Sequence, residues 1–401
     1  MKFTKLSLIA ALAVTSAVAG ESTIGGDAKL FYWTDDIGTH DLFNKNGATG
    51  DAAVSLDYSR DIIDGVTVNV GVTGISTLGL ENTLVSGTNV SHGGARAEAG
   101  LDDKIWIDTA NIVFKPIDKT MLVIGRQTLD TPLAFTETWN IAHNTFDAAV
   151  AVDNHIDKTT LVAAWVGRGN GHNGFENVDG GMSKYGAIEG DPQPLNKGAF
   201  AAGAITTAIP MTTAQLWYYN VRNQADAVWA QADITPTKEV SVGLQYSQIG
   251  TKGAAASFDD TKAFAAKLGY SANGLDLAGA YSEVDDKGAI YMGNTATGGV
   301  FANRVQQSKL YTEAWWNYGF VGEIGAKTAM ISAGLGDFTA QYTTVSNDTK
   351  GAQFEMDEVT LTATHKIGPV DATVAFINTS SDNAGVDGNN IQAYLTVPFS
   401  L

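Results

Sequence analysis

Apolar and polar side chains alternate one by one along much of this chain. In residues 66–73 valines alternate with threonine, asparagine and glycine, and residues 54–59, 240–247 and 359–364 show the same period of two. A period of two places alternate side chains on opposite faces of a β-strand. The polar positions carry mainly Ser, Thr, Gly, Asn and Gln, and the segments reach about ten residues, the length of a tilted membrane strand. The pattern therefore predicts strands that cross a membrane with one apolar and one polar face.

The same alternation continues along the rest of the chain. It predicts further strands near residues 29–33, 105–115, 121–129, 148–153, 160–168, 199–207, 213–221, 227–235, 264–272, 275–283, 338–345, 372–378 and 391–399. Between these, residues 310–318 and 326–333 compete for one more strand. Choosing 326–333 leaves a short turn before the next strand and gives an even count of 18, as bacterial single-chain barrels prefer. A barrel of 16 strands is the alternative.

Short and long gaps between the strands mostly alternate. The short gaps contain Pro, Gly, Asn or Asp, as tight turns require. The long gaps fall at residues 34–50, 77–104, 130–147, 169–197, 250–260 and 284–307, and the short gap at 222–225 breaks the alternation. An outer-membrane barrel has this layout, because one rim carries short periplasmic turns and the other carries long external loops. The fold class expected is an all-β, transmembrane antiparallel β-barrel.

The first residues have the features of an export signal. Lys2 and Lys5 precede an apolar run at residues 6–19, which is shorter than the ~20 residues that a membrane-spanning helix needs. The run ends in Ala17-Val18-Ala19, a signal-peptidase pattern. We expect a signal peptide at residues 1–19 and a single barrel at residues 20–401.

Composition narrows the class of function. Charged residues make up 17% of the chain, the formal net charge is −18 and there is no cysteine. The negative charge argues against a nucleic-acid partner, and the missing cysteines exclude a disulfide scaffold. A barrel of ~16–18 strands is too wide for its side chains to fill, so its lumen is expected to hold water. Aromatic residues are expected at the membrane interfaces: Tyr32, Trp33, Trp165, Trp217, Tyr218, Tyr219, Trp229, Tyr246, Tyr270 and Tyr281.

Signals of enzyme chemistry are weak. Residues 169–174 match the spacing of dinucleotide-binding glycines, but no helical pattern follows them. The chain has no nucleophile elbow, no Walker loop and no zinc-binding His pair at helical spacing. We therefore predict that the protein is not an enzyme and has no cofactor. The Asp- and Asn-rich residues 381–390 could bind Ca²⁺ at the surface, although they lack the EF-hand spacing.

One segment resembles a known family. Gly125-Arg126-Gln127, followed by Thr131-Pro132-Leu133, resembles the Gly-Arg-Gln…Thr-Pro-Leu stretch of OprD-type porins, and the general layout is similar to the major porins of Campylobacter-like bacteria. The resemblance implies an 18-stranded barrel in the outer membrane of a Gram-negative bacterium. It also implies contact with membrane lipid and lipopolysaccharide, frequent trimer formation and passage of small hydrophilic solutes. In this family the stretch leads into a loop that narrows the lumen, which here corresponds to residues 130–147.

Selection in a wide pore depends on the charges at its narrowest ring. The candidates near the expected constriction are Arg126, Asp130, Glu137, His143 and Asp147. Arg126 shares its parity with Leu122 and Ile124, so either those residues face inward or the arginine lies at the lipid rim.

Strand parity adds two lumen-facing candidates, Asp57 and Lys267, since their apolar neighbours are expected outside. The excess of acidic residues predicts a weak cation preference. The alternative function is a secreted β-rich adhesin or carbohydrate-binding protein, which would show repeats of fixed period.

Overall fold

The computed structural model describes residues 22–87, 104–170, 183–184, 198–222, 224–253, 256–295, 306–349, 353–382 and 385–401. The expected signal peptide and most of the glycine-rich stretch at residues 169–174 lie outside the described residues. The strands are β1 (Ser22–Asp35), β2 (Ala48–Ile63), β3 (Val66–Ser76), β4 (Lys104–Ile117), β5 (Thr120–Gln127), β6 (Phe146–Asp153), β7 (Thr159–Gly169), β8 (Ala199–Thr206), β9 (Thr212–Val221), β10 (Ala225–Ile234), β11 (Val240–Thr251), β12 (Thr261–Ala272), β13 (Leu275–Val284), β14 (Ala326–Leu335), β15 (Phe338–Asn347), β16 (Phe354–Ile367), β17 (Val370–Asp382) and β18 (Gly388–Ser400).

These strands form one closed antiparallel barrel. Each strand pairs with the next along the chain, and β1 also pairs with β18 from Gly25↔Ser400 to Asp35↔Asn390. A two-residue segment, Ser183–Lys184, pairs with the end of β7. The predicted count of 18 is therefore confirmed. Closure satisfies the backbone hydrogen bonds of every barrel strand and leaves no free edge in the sheet.

The competition between residues 310–318 and 326–333 is also resolved. Residues 326–335 form β14, whereas residues 310–318 form no strand and lead into a short 3₁₀ helix at Tyr318–Phe320. Among the described residues, no helix is long and apolar enough to cross a membrane.

The outer face of the barrel is apolar and exposed. Ile105 is 78% exposed, Leu244 51% and Ile331 63%, and each alternates with residues that point inward. A continuous exposed apolar band of this kind is what a barrel presents to lipid. The apolar parity read from the sequence is thus the lipid-facing side of the strands.

The expected aromatic girdle is only partly present. Trp165, Tyr218, Tyr246, Tyr270 and Tyr281 are exposed on the outer face. Trp33, Trp217, Tyr219 and Trp229 instead point inward and are buried, so their assignment to the girdle was wrong. They lie inside because long loops fill part of the lumen and supply apolar partners there.

The two rims differ in the length of their connections. At one rim the turns are short, as at Asn273-Gly274, where both residues have positive φ angles of 52° and 80° and form the tight connection that a hairpin favours. At the other rim most connections are long, but those at residues 222–224, 348–353 and 383–387 are short, and the first of these is the exception that the sequence shows. The long-loop rim corresponds to the external side of an outer-membrane barrel.

Candidate functional site

Two long connections fold into the barrel. We call residues 128–145, between β5 and β6, the first inner loop, and residues 285–295 and 306–325, the described parts of the connection between β13 and β14, the second inner loop. The resemblance to OprD-type porins implies an inward fold for the first of these only. Both contribute to a buried apolar cluster with inward side chains of the wall, including Leu133 from the first loop, Met292 and Leu310 from the second, and Trp217 and Trp229 from the wall.

The second inner loop is bonded to the wall at widely separated strands. Tyr311 donates its backbone N–H to Gln245 on β11 at 3.1 Å, and the Gln245 amide donates to the Lys309 carbonyl at 2.8 Å. Far around the barrel, the indole N–H of Trp315 donates to Gln392 on β18 at 3.1 Å. The loop therefore lies along the inner face from β11 to β18 and narrows the lumen from that side.

A single carboxylate holds the centre of this loop. Glu358 on β16 is 1% exposed. It accepts the backbone N–H of Trp315 at 2.7 Å and, through its other oxygen, the backbone and side-chain N–H groups of Asn317 at 2.8 and 3.0 Å. The backbone N–H of Trp316 reaches both oxygens at 3.2 and 3.3 Å. Because hydrogen bonds to a carboxylate are stronger than neutral ones, Glu358 is a principal anchor of the loop.

The two inner loops are also bonded to each other. Asn294 of the second loop donates to the Phe135 carbonyl at 2.8 Å and to the Glu137 carboxylate at 2.9 Å, and its own side-chain oxygen accepts the Phe135 N–H. Lys309 forms an ion pair with Asp130. Glu137 is 2% exposed, so its carboxylate stabilises the contact between the two loops and does not face the open lumen.

Glu313 of the second inner loop lies near the same contact. Burial, and next the charge of Glu137, raise the pKa of Glu313 to about 8, while Lys309 acts in the opposite direction. The group is therefore mostly protonated at neutral pH. It adds negative charge to the interior only when the pH rises through about 8.

Acidic side chains collect on the inner face of β1, β2 and β4. We call Asp27, Asp57 and Asp108 the acidic wall. Asp57 is exposed on this inner face, and a Cβ atom at Gly71 would overlap carboxylate oxygens of both Asp57 and Asp108. The glycine thus leaves the space in which the two carboxylates lie side by side. Lys29 is the basic neighbour, 3.1 Å from Asp27.

His143 of the first inner loop lies beside the acidic wall. Burial lowers the pKa of His143, and the charges that act on it most strongly are Asp108, Lys29 and Asp27 in that order, the two aspartates raising the pKa and the lysine lowering it. Its side chain retains partial exposure. At neutral pH the imidazole is therefore uncharged, and the negative charge of the acidic wall is not offset by it.

We expect acidification to weaken cation preference through His143. Protonation would set in only below the ordinary histidine pKa of about 6.5, since burial shifts this pKa downward. Reversal potentials measured from pH 7 down to pH 5 should shift toward anions in the wild type and shift less in His143→Gln. His365→Gln is the control, because His365 is exposed near the end of β16, where it lies 2.6 Å from Asp337. Identical pH profiles for the wild type and His143→Gln would contradict this role.

The predicted constriction residues divide into two groups. Asp130, Glu137 and His143 lie inside the barrel on the first inner loop. Arg126 and Asp147 lie on the outer face instead, in the same alternating register as the exposed Ile124. The expectation that these two line the constriction is therefore corrected. The reason is geometric, since both belong to strands whose outward parity continues to the rim.

Asp57 and Lys267, which strand alternation assigned to the lumen, both lie on the inner face. Asp57 points inward, and Lys267 on β12 points toward the lumen, 3.9 Å from Asp233 and 4.2 Å from the ring centre of Tyr311. Lys267 is thus engaged by the wall and by the second inner loop. Their roles in selection stay predictions.

Asp108 and Glu358 are two inward carboxylates that were not predicted, although the sequence holds a signal for both. Asp108 alternates with Ile105 and Ile107, and Glu358 precedes Val359, and these apolar neighbours are exposed outside. The alternation that assigns Asp57 to the lumen also predicts that both of these carboxylates point inward. No comparable local signal marks the second inner loop, because its partners are distant strands.

Within the described part of the chain, no group of three or more His, Asp or Glu side chains is arranged to hold a metal ion. In the region proposed for Ca²⁺, Asp387 accepts hydrogen bonds from the Ser381 backbone and hydroxyl at 2.7 and 2.6 Å, and these bonds lower its pKa. Residues 383 and 384 lie outside the described residues. Surface Ca²⁺ stays a prediction.

The fold and the interior define a class: a large closed antiparallel β-barrel with an apolar outer face, narrowed from within by loops. Solved structures of this class are similar to the chain. OccK9 (OpdG) of Pseudomonas aeruginosa matches with a TM-score of 0.73 and 13% identity, covering 95% of this chain and 99% of that one. OccAB4 of Acinetobacter baumannii matches at 0.69 and 13%, covering 96% and 99%. OpdK of Pseudomonas aeruginosa, solved with vanillate, matches at 0.72 and 13%, covering 95% and 99%.

At this identity the likeness establishes the fold, and the expected OprD-type architecture is confirmed. An outer-membrane location agrees with these structures. Comparisons with protein-family models and with curated protein sequences found no match.

Proposed function

We propose that the protein is a passive diffusion channel in the outer membrane of a Gram-negative bacterium. Small hydrophilic solutes and ions would move down their gradients through its lumen, with a weak preference for cations. The closed barrel with a lipid-facing outer surface supports the channel. The closed barrel gives no support to the alternative of a secreted adhesin. In this proposal the protein performs no reaction.

The acidic wall is the observation that carries the cation preference. Asp57 and Asp108 lie together over Gly71, and Lys29 is the basic group paired with the neighbouring Asp27. Two other lysines of the interior, Lys267 and Lys309, are engaged by Asp233 and Asp130. Asp57 is the exposed charge of the wall, so it would act directly on permeating ions and raise the local concentration of cations, whereas Asp108 is 3% exposed and would act from behind it.

The test is electrical. The purified, detergent-folded protein is inserted into planar bilayers, and single-channel conductance and reversal potential are measured in a KCl gradient at pH 7. Discrete conductance steps with a reversal potential on the cation-selective side are expected. Absence of steps would refute the channel, whereas steps with clear anion preference would refute the cation preference alone.

The resemblance to OprD-type porins also suggests assembly as a trimer. Native mass spectrometry of the detergent-solubilised protein measures this directly. A species of three times the chain mass is expected, and a monomer under mild detergent would contradict the proposal.

A further inference from the structure

An apolar groove crosses the outer face of β5 to β9. Its floor is formed by small residues, and larger apolar side chains stand along its sides. The lining includes Ala149, Ala151, Ala163 and Ala202 on the floor, with Ile124, Trp165, Phe200 and Tyr218 at the sides. Its volume is about 480 Å³, within the range of ~300–1,000 Å³ typical of ligand sites. The alanines create this depression because their neighbours on the same face are bulky.

A row of charged residues lies directly beyond the groove toward the external rim. Strand register pairs Ile124 with Ala149 and, two pairs further out and on the same face, Arg126 with Asp147. Asp147 also pairs with Arg168 on β7. Since residues on one face of a strand repeat at about 6.8 Å, the charged row begins one such step from the apolar lining.

Two arginines share one carboxylate in this row. Arg126 Nε lies 3.0 Å from Asp147 Oδ1, and Arg168 Nη2 lies 2.6 Å from Asp147 Oδ2. A further Arg126 nitrogen donates to the Ile107 carbonyl at 2.8 Å. The row therefore carries a net positive charge in a chain whose formal charge is −18. The Arg168 side chain is 53% exposed, so donors of its guanidinium face the surroundings of the barrel.

From this arrangement we propose that the groove and the charged row bind one phosphorylated acyl lipid of the external leaflet. An acyl chain lies in the groove, and a phosphate of the headgroup accepts hydrogen bonds from Arg168 and Arg126. The net positive charge of the row favours an anionic group beside the apolar groove, which a phosphorylated acyl lipid supplies. A guanidinium also presents paired donors that match two phosphate oxygens. The inference needs the membrane placement of the proposed function but not its cation preference.

The position of Trp165 agrees with this occupant. Trp165 is exposed on the outer face next to the charged row, and amphipathic indoles concentrate at the level of lipid headgroups. A phosphate beside the charged row would thus lie at the depth of the lipid headgroups, while the acyl chain of the same lipid extends along the groove.

The test compares binding of two lipid probes to the folded barrel by native mass spectrometry in detergent. The probes are diphosphorylated lipid A and the same lipid with both phosphates removed. The wild type should bind the phosphorylated probe more tightly. Arg126→Gln combined with Arg168→Gln should weaken that binding by more than about tenfold, because two charge-assisted bonds are lost, and leave the dephosphorylated probe unchanged. Ala163→Leu fills the groove and should weaken both probes.

Lys327→Ala is the matched control. Lys327 is an exposed cation at the external rim of β14, 3.4 Å from Asp348 and away from the groove. The Lys327→Ala variant should bind both lipid probes as tightly as the wild type does. Heat-modifiable gel migration and channel conductance establish that each variant is folded, and Arg168→Gln alone serves if the double variant does not fold.

Equal binding of the phosphorylated probe by the wild type and the arginine variants would overturn the proposal. So would an Ala163→Leu variant whose oligomeric state changes while its lipid binding does not, since the groove would then be a contact between copies of the chain. Loss of lipid binding with normal conductance separates this inference from the proposed channel function.

Discussion

Replacing Glu358 with alanine is expected to release the second inner loop from the wall and widen the pore. The substitution removes the acceptor for the N–H groups of Trp315, Trp316 and Asn317. Each hydrogen bond to a charged group contributes ~1.5–3 kcal/mol, so the anchored segment would lose several kcal/mol of docking energy. Single-channel conductance should rise about twofold or more, with added current noise as the loop moves.

Two variants make this result specific to the anchor. Glu355→Ala removes a carboxylate from the same strand, but Glu355 is exposed, so its conductance should match the wild type. Glu358→Gln retains one acceptor oxygen and should give an intermediate value. An unchanged conductance in correctly folded Glu358→Ala would show that other contacts, such as the bond of Trp315 to Gln392, hold the loop without the carboxylate.

Neutralising the acidic wall is expected to abolish most of the cation preference. A unit charge at about 4 Å in water changes the energy of an ion by about 1 kcal/mol, which corresponds to about fivefold in relative population. Asp57→Asn should lower the ratio of cation to anion permeability by about twofold, since Asp57 is exposed and partly screened. Combination with Asp108→Asn should lower it further, toward non-selectivity. Reversal potentials in a salt gradient measure both.

The matched control for these substitutions is Asp153→Asn. Asp153 ends β6 on the outer face, where it accepts a hydrogen bond from Thr120 at 2.7 Å, so its charge should not affect ions in the lumen. The conductance of all variants should remain close to the wild type, because Asn has nearly the size of Asp. A double variant that keeps the wild-type permeability ratio would mean that the acidic wall does not face the permeation path.

The sequence alone predicted where the strands lie, 18 as their preferred number, and the apolar face that each strand turns to lipid. Alternation is a local property, because the pleat turns successive side chains to opposite faces whatever their distant neighbours are. Asp57 and Lys267 could therefore be assigned to the inside from their own strands. The long and short gaps likewise predicted which rim carries the loops.

The tertiary structure alone decided how the lumen is filled. The sequence could not decide whether Arg126 faces the lumen or the lipid. Only the pairing of β5, β6 and β7 brings it together with Asp147 and Arg168 on the outer face. The second inner loop docks on Glu358 through contacts between residues about 40 positions apart. Such contacts depend on which strands the closure of the barrel brings close to the loop. The alternation of side chains within one strand carries no information on these distant contacts.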